Sequence, residues 1–331
     1  MVPPAARTSH PDPVSILVCT RDRPELLCGL LADLCRQDYA GEVEILVVEE
    51  TDVPSPPQGV RYLPIPIRNL GIAHARNLAW QHATHALVVY VDDDCRVSAE
   101  WLRKLVAPFA DPTVLGVQGG VTVPEGTSAA GWAETLLGFP GGGLQRVVLA
   151  AGQWQATREV STLNAAYRQA AIAATGGFHT EARWGGEDYV LAKRVAEQGK
   201  LLFVPEALVR HVARAKWSAL WRWFVRRGRA EMTLIQARLI GHEYRRYVVR
   251  ASLLLKLVGA GVLSVWLGYA PWCILLGGFV ILAWWRTRWA LRQPEVPLLA
   301  WVMVPVVKCI MDVAADMGRL RALCQYVRRN A

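Results

Sequence analysis

The residues of this 331-residue chain best equipped for chemistry are three consecutive carboxylates, Asp92, Asp93 and Asp94, which close the apolar run Val88-Val-Tyr-Val91. Adjacent carboxylates repel one another unless water or a cation neutralises them. A hard divalent ion, Mg2+ or Mn2+, is the natural counterion, and such ions favour oxygen ligands shared with a phosphate. Two further strand-like runs also end in charge: residues 14–19 lead into Thr20-Arg-Asp-Arg23, and residues 42–48 into Glu49-Glu50. If the three runs are neighbouring strands, these groups converge on one site for a polar, phosphate-bearing ligand.

The pattern around them is that of a parallel sheet. Residues 14–19 are mostly apolar and partly β-branched, and Pro24 stands where a first helical residue tolerates it. Apolar residues then recur at helical spacing over 26–37, and 42–48 is a second strand. Strand, helix and strand with short joints make a βαβ unit with a right-handed crossover. The Pro-rich stretch 51–66 reads as a loop and 69–84 as a helix. The run 86–91, apolar throughout, reads as a strand buried on both faces. Residues 98–105 are expected to form a helix with Ser98 as its N-cap. Ligands of open α/β sheets bind beyond the carboxyl ends of the strands, where the acids fall. No Gly-rich phosphate loop follows the first strand, which excludes a dinucleotide fingerprint and a P-loop.

Charge and hydropathy divide the chain. The first 200 residues carry 17 Lys and Arg against 22 Asp and Glu, whereas residues 201–331 carry 20 against 6 and hold 9 of the 14 Trp. Trp217, Leu220, Trp221 and Phe224 share one helical face and Arg222, Arg226 and Arg229 another, the pattern of a helix lying in a membrane interface. Residues 257–285 contain no charge; as one helix they would span about 44 Å, more than a ~30 Å hydrocarbon core. Gly268-Tyr-Ala-Pro271 interrupts them, so two helices, 252–267 and 271–285, form the expected hairpin. Basic residues on both flanks (Arg245, Arg246, Arg250, Lys256; Arg286, Arg288, Arg292) put both ends on the cytoplasmic side. Residues 297–310 are apolar again, but Pro305 and the charges at Lys308, Asp312 and Asp316 point to a surface or partly inserted helix. No nucleic-acid-binding motif accompanies the basic charge, so nucleic acid is not an expected partner. The seven cysteines lack metal-type spacing and read as reduced residues without a metal role. Residues 1–13 have no apolar core of a cleavable signal and read as a disordered lead-in.

Taken in order, Thr20-Arg-Asp-Arg-Pro24, Val47-Val-Glu-Glu-Thr-Asp52, Asn69-x-Gly-x-x-x-Ala-Arg-Asn77 and Asp92-Asp-Asp94 resemble the nucleotide-sugar half of a family 2 glycosyltransferase. Asn164-Ala-Ala-Tyr-Arg168, Gly176-Gly-Phe178, Gly185-Gly-Glu-Asp-Tyr189, Arg194, Gly199, Val204-Pro205 and His211 resemble its acceptor half. One departure is Glu49, where the family usually has Asp. The resemblance implies an α/β GT-A fold, that of nucleotide-diphospho-sugar transferases, with a mostly parallel sheet over residues 14–212. Amphipathic interfacial helices over 213–250 and a membrane hairpin with basic helices over 251–331 would follow.

The resemblance also implies roles. Thr20, Arg21, Glu49, Arg76, Asp92 and Asp93 would line the nucleotide-sugar, with Glu49 at the base or ribose. Asp94 would bind Mg2+ or Mn2+, and His211 would contact the metal or the diphosphate. Asp188 would be the general base that takes the acceptor hydroxyl proton. Glu187 and Trp184 would stand on the acceptor side, with the Gly-rich stretch 138–143 a flexible loop nearby. The expected protein is a metal-dependent inverting glycosyltransferase on the inner or plasma membrane, its catalytic part cytoplasmic. Its donor would be a UDP-, GDP- or dTDP-sugar and its acceptor lipid-linked or part of the cell envelope. The alternatives are a sugar nucleotidyltransferase and a non-catalytic membrane partner that kept the fold.

Overall fold

The computed structural model describes residues 12–214 and 216–330. Of the expected lead-in, residues 1–11 lie outside the described part. The chain begins with β1 (Val14–Thr20), α1 (Pro24–Leu34), β2 (Val43–Glu50), β3 (Arg61–Ile65), α2 (Ile72–His82), β4 (Leu87–Val91), β5 (Cys95–Val97) and α3 (Trp101–Val106). It continues through β6 (Val114–Thr122), α4 (Ala129–Leu136), α5 (Gly143–Ala150), β7 (Gln155–Thr157), β8 (Asn164–Arg168), α6 (Gln169–Ala174), α7 (Glu187–Val195) and β9 (Lys200–His211). The helices α8 (Trp217–Gln236), α9 (His242–Ala251), α10 (Leu253–Leu267), α11 (Ala270–Thr287) and α12 (Leu298–Asn330) complete it.

The strands form one mixed sheet in the order β3-β2-β1-β4-β8-β6-β9-β5, with β7 also on β9. The block β3-β2-β1-β4 is parallel, and β8 runs antiparallel to β4 and β6. Alternation along each central strand sorts side chains between two cores. Val14, Ile16, Val18, Leu87, Val89 and Val91 pack with Leu30 of α1 and Trp101 and Leu105 of α3. Leu17, Val88 and Tyr90 face Ala75 and Ala79 of α2 and Leu191 and Val195 of α7. A sheet covered on both faces requires the apolar run at 87–91, and all five of its residues are buried.

Several local expectations are corrected. The Pro-rich loop contains β3, whose position at the sheet edge tolerates Pro64. Glu49 and Glu50 lie on β2 itself. Ser98 does not cap α3; its carbonyl accepts from Trp101 N at 3.1 Å, and α3 starts without a side-chain cap. The Gly-rich stretch 138–143 is pinned, because Phe139 packs edge-on to Trp223 and Phe224 and the Gly138 and Gly142 amides bond back to Thr135 and Gly138.

In the C-terminal part Leu220 and Phe224 of the apolar stripe of α8 are covered by protein, while Trp217 stays exposed. Leu220, Phe224 and Val225 pack with Trp132 and Leu136 of α4 and with Val304, Val307 and Met311 of α12. The expected hairpin is α10 and α11, broken at Gly268. Its outer surface is apolar: Val265, Trp266 and Ile274 are 79%, 83% and 74% exposed. By length and composition Ala270–Arg292 and Leu298–Arg328 can each cross a membrane, and α9 with α10, bent by 59°, would add a third span if the pair is one crossing. The partly inserted helix expected at 297–310 is therefore corrected to the start of a continuous 33-residue helix. Pro305 does not end it, and the charges that argued against it are paired, Lys308 with Asp312 at 2.8 Å and Asp316 with Arg319 at 2.6 Å.

Candidate active site

The acid triplet is the turn between β4 and β5. Cys95 N donates to Asp92 O at 3.1 Å, closing the turn, and Val212 N donates to Asp94 O at 2.9 Å, tying it to the end of β9. The antiparallel pairing of β5 on β9 sets Cys95 opposite His211. This register brings His211 Nε2 to 3.4 Å from Asp94 Oδ1. Among the described residues neither Asp94 Oδ1 nor His211 Nδ1 has a hydrogen-bond partner, although both are buried. Burial pushes the Asp94 carboxyl up to about 6, with Asp92 adding to the effect and Arg23 opposing it. Burial, helped by Arg214, pulls His211 down to about 4, so its imidazole is neutral at neutral pH.

Asp93 faces the other way. Thr20 donates its hydroxyl to Asp93 Oδ2 at 2.6 Å, and Arg23 Nη1 bridges Asp93 Oδ1 at 3.0 Å and Asp94 Oδ2 at 3.1 Å. Arg23 is thus the protein's own cation over the triplet. The parallel ladder sets Thr20 beside Glu49. Glu49 accepts from the Tyr62 hydroxyl at 2.6 Å, while Arg21 reaches Glu50 at 3.2 Å and Asn69 at 2.8 Å. Thr20, Arg21, Glu49, Asp93 and Asp94 therefore line adjoining strand ends, as the spacing of the runs foresaw.

Arg76 of α2 joins this edge to α7. Its guanidinium pairs with Glu187 and with Asp92, the latter at 3.0 Å. Burial alone would lower its pKa, but Glu187 and Asp92 prevail and raise it. Glu187 is raised by burial and by Asp188 against the pull of Arg76. Glu187 and Asp188 occupy the first turn of α7, where the helix dipole favours acids. Glu187 is buried and engaged with Arg76, whereas Asp188 is half-buried and its carboxylate accepts only from its neighbour's amide, Tyr189 N at 2.8 Å, among the described residues. Trp184, 40% exposed, stands against Arg229 of α8, whose guanidinium lies 3.7 Å from the ring centroid.

Other residues of the cleft escaped the sequence reading. Arg23 belongs to the Thr20-Arg-Asp-Arg-Pro24 cluster, and its polar strand-end position was the available signal. Arg214, paired with the buried Glu134 and lying 4.2 Å over Trp223, and Arg226 of α8 act on the same charges from beyond β9. Nothing in the sequence spacing brings them here.

Parts of this sequence and its fold are similar to those of known proteins. Residues 15–173 match the model of the family described as Glycosyl transferase family 2. An N-acetylglucosaminyltransferase of Sinorhizobium fredii (strain NBRC 101917 / NGR234) is 25% identical over 151 residues, 40% of this chain and 35% of the relative. One of Bradyrhizobium elkanii is 29% identical over 115 residues, 31% of this chain and 63% of the relative. The chain thus spans less than two thirds of either relative. The mannosyltransferase PcManGT from Pyrobaculum calidifontis, solved with GDP-Man and Mn2+, superposes with a TM-score of 0.57 at 21% identity, covering 95% of this chain and 88% of that one. GalNAc-T7, solved with UDP, GalNAc and Mn2+, gives 0.52 at 16% identity over 72% and 50%. The fold is that of the GT-A glycosyltransferases. Over residues 15–173 the chain is similar to family 2 glycosyltransferases; that segment holds the acid triplet, while Glu187, Asp188 and His211 lie beyond it.

Proposed function

We propose that this protein is a membrane-attached inverting glycosyltransferase that moves a sugar from a nucleotide-sugar to an acceptor hydroxyl. The observation that carries the reading is the acid turn at the carboxyl ends of β1, β2 and β4, joined through Arg76 to the acids that open α7. One end can hold a diphosphate and the other an acceptor. The unpartnered Asp94 Oδ1 beside a neutral imidazole is a donor set suited to Mn2+ or Mg2+. No cluster of three His, Cys, Asp or Glu that could hold a metal occurs among the described residues. That fits an ion whose remaining ligands are diphosphate oxygens and water. Such an ion would offset the charge that develops on the departing nucleoside diphosphate.

In this reading Asp188 takes the hydroxyl proton of the acceptor as its oxygen attacks the anomeric carbon. The bond from that carbon to the diphosphate oxygen breaks on the opposite side, which inverts the configuration. Thr20, Arg21, Glu49, Asp92 and Asp93 line the nucleotide-sugar, Arg76 holds Asp92 and Glu187 in place, and Trp184 walls the acceptor side. Residues 14–212 perform the chemistry. Residues 213–331 hold it at the inner or plasma membrane with the site cytoplasmic, as the basic flanks of the hairpin favour. A membrane location favours a lipid-linked or envelope acceptor, and the names of the two curated relatives make N-acetylglucosamine the sugar to test first.

The test is turnover of UDP-, GDP- and dTDP-sugars, with and without Mn2+, by the wild type, Asp94→Ala and Asp188→Asn. Asp94→Ala should abolish metal-stimulated turnover, and Asp188→Asn should reduce kcat by roughly 10²- to 10⁴-fold. Full activity in either variant refutes the role given to that residue.

A further inference from the structure

Four arginines surround the acids of the cleft, and three have carboxylate partners. Arg23 holds Asp93 and Asp94, Arg76 holds Asp92 and Glu187, and Arg214 holds Glu134. The fourth, Arg226 of α8, has no hydrogen bond or ion pair among the described residues. Its position follows from the helix face it shares. Ala230 lies 3.9 Å from where a Cβ on Gly185 would stand, and Leu234 packs against Gly186, so this face of α8 runs over the approach to Glu187 and Asp188. Arg226 is one turn before Ala230 on that face. The charges acting on it come from three sides: Glu187 and Arg76 from the helices, Asp92 from the acid turn, and Arg23 from the end of β1. Arg214 feels it from the fourth. Arg226 is exposed to solvent, yet burial is the leading influence on its guanidinium and pushes its pKa down. Its guanidinium thus keeps access to solvent while the charges of the cleft act on it.

A guanidinium in such a place can offer parallel donors to a phosphate, a geometry a lysine cannot match. We propose that Arg226 is the phosphate-binding residue that the membrane-proximal helix α8 contributes to the cleft. The inference rests on the donor-site reading above and deepens it. The phosphate has two possible sources, the diphosphate of the nucleotide-sugar or a phosphate carried by the acceptor. Asp92 of the acid turn and Glu187 of α7 both act on Arg226, so either group would come within its influence.

The full-length protein in detergent or nanodiscs serves for the test, with Arg226→Met and Arg226→Lys. Because Arg226 has no described protein partner, both variants should melt like the wild type. One arm measures affinity for UDP and GDP with Mn2+, and for UMP and GMP as controls. A roughly ten- to hundredfold loss for the diphosphates in Arg226→Met, partly restored by Lys and absent for the monophosphates, assigns the donor phosphate. The other arm measures binding to vesicles containing a polyprenyl phosphate against vesicles containing the polyprenol. A similar loss confined to the phosphate vesicles assigns the acceptor. Unchanged binding in both arms overturns the inference. A wild type that binds no nucleotide with Mn2+ would instead overturn the donor-site reading, so the two failures are distinct.

Discussion

Glu187 and Asp188 are neighbours in one helical turn, and the structure predicts that removing them has different consequences. Arg76 and Glu187 are paired with side chains only 8% and 4% exposed, while Asp92, the second partner of Arg76, is 35% exposed. Glu187→Ala strands a guanidinium that cannot neutralise itself by losing a proton. Breaking a buried pair from one side costs about 3–5 kcal/mol, and the surviving contact to Asp92 places this case near 3 kcal/mol. For a folding unit of this size that is a fall in Tm of roughly 6–12 °C. Arg76→Met strands Glu187 and should cost a similar amount. The double variant should cost only about 3–4 kcal/mol, because each substitution removes the charge that the other leaves unpaired, giving a coupling of about 2–3 kcal/mol. Unfolding in detergent at pH 7.5, followed by tryptophan fluorescence, gives all four corners of the cycle. Asp188→Asn, by contrast, should melt like the wild type and lose turnover. Additive losses at Arg76 and Glu187 would refute the buried pair, and a large destabilisation in Asp188→Asn would refute the separation of roles.

Other consequences are equally open to measurement. Glu44 is a half-buried carboxylate: burial favours its neutral form, but hydrogen bonds from Ser15 and Thr84 and the Arg61 pair win and hold it down at about 2. A depressed carboxyl contributes its stability above the unfolded pKa near 4.5 and loses it as pH falls toward 2. Glu44→Gln should therefore cost about 1–2 kcal/mol at pH 7 once solvent screening of the Arg61 pair is counted, and the deficit should close between pH 4.5 and 2 in a pH series of denaturation curves. Gly228→Ala should destabilise by about 1–3 kcal/mol, because its Cβ would collide with the Ala315 carbonyl. Gly259→Ala, with nothing within 4 Å of its Cβ, should be neutral or stabilising, and equal melting shifts would sink the argument. Arg23→Ala removes two half-exposed ion pairs from Asp93 and Asp94. It should tighten Mn2+ binding about fivefold in the absence of nucleotide, and unchanged affinity by electron paramagnetic resonance would show that guanidinium and ion do not compete.

The legible parts of the sequence were those whose chemistry and neighbours are local. Residues 87–91 are apolar on both faces because both faces are covered, so strand and acid turn could be read together. Glu187 and Asp188 stand at the start of an apolar periodic stretch, so their helical turn could be read as well. The misses have physical causes. Pro205 looks like the end of a strand, yet β9 continues to His211 because the ladder with β6 is irregular between Val204 and Val209, where a proline need not donate. Pro64 hid β3 for the related reason that an edge strand leaves donors unused. Arg226 was seen only as part of a basic helical face. Whether such a face meets lipid, water or the cleft depends on how α8 lies over residues 184–186, and periodicity carries no information about that.

That placement of α8 also decides what the C-terminal helices are for. At its crossing with α12 two backbones come together through glycines: a Cβ on Gly228 would strike the Ala315 carbonyl, and one on Gly318 would strike that of Val225. Around the crossing Arg319 donates to Glu231 at 2.6 Å and to Asp316 at 2.6 Å, and Asp316 accepts from Leu254 N at 2.8 Å, which adds α10 to the same joint. Close glycine contacts flanked by buried ion pairs permit little sliding, since either movement would open a gap or strand a charge. Val225 and Gly228, the residues so fixed, bracket Arg226. The helices long enough to cross a membrane are thereby connected to the acids through one stiff contact, and a change in how α12 is seated must move Arg226 and Arg229, with the Trp184 ring that Arg229 covers. A separate module would need only a linker to the acids; the packed crossing makes the C-terminal helices part of the framework that carries Arg226.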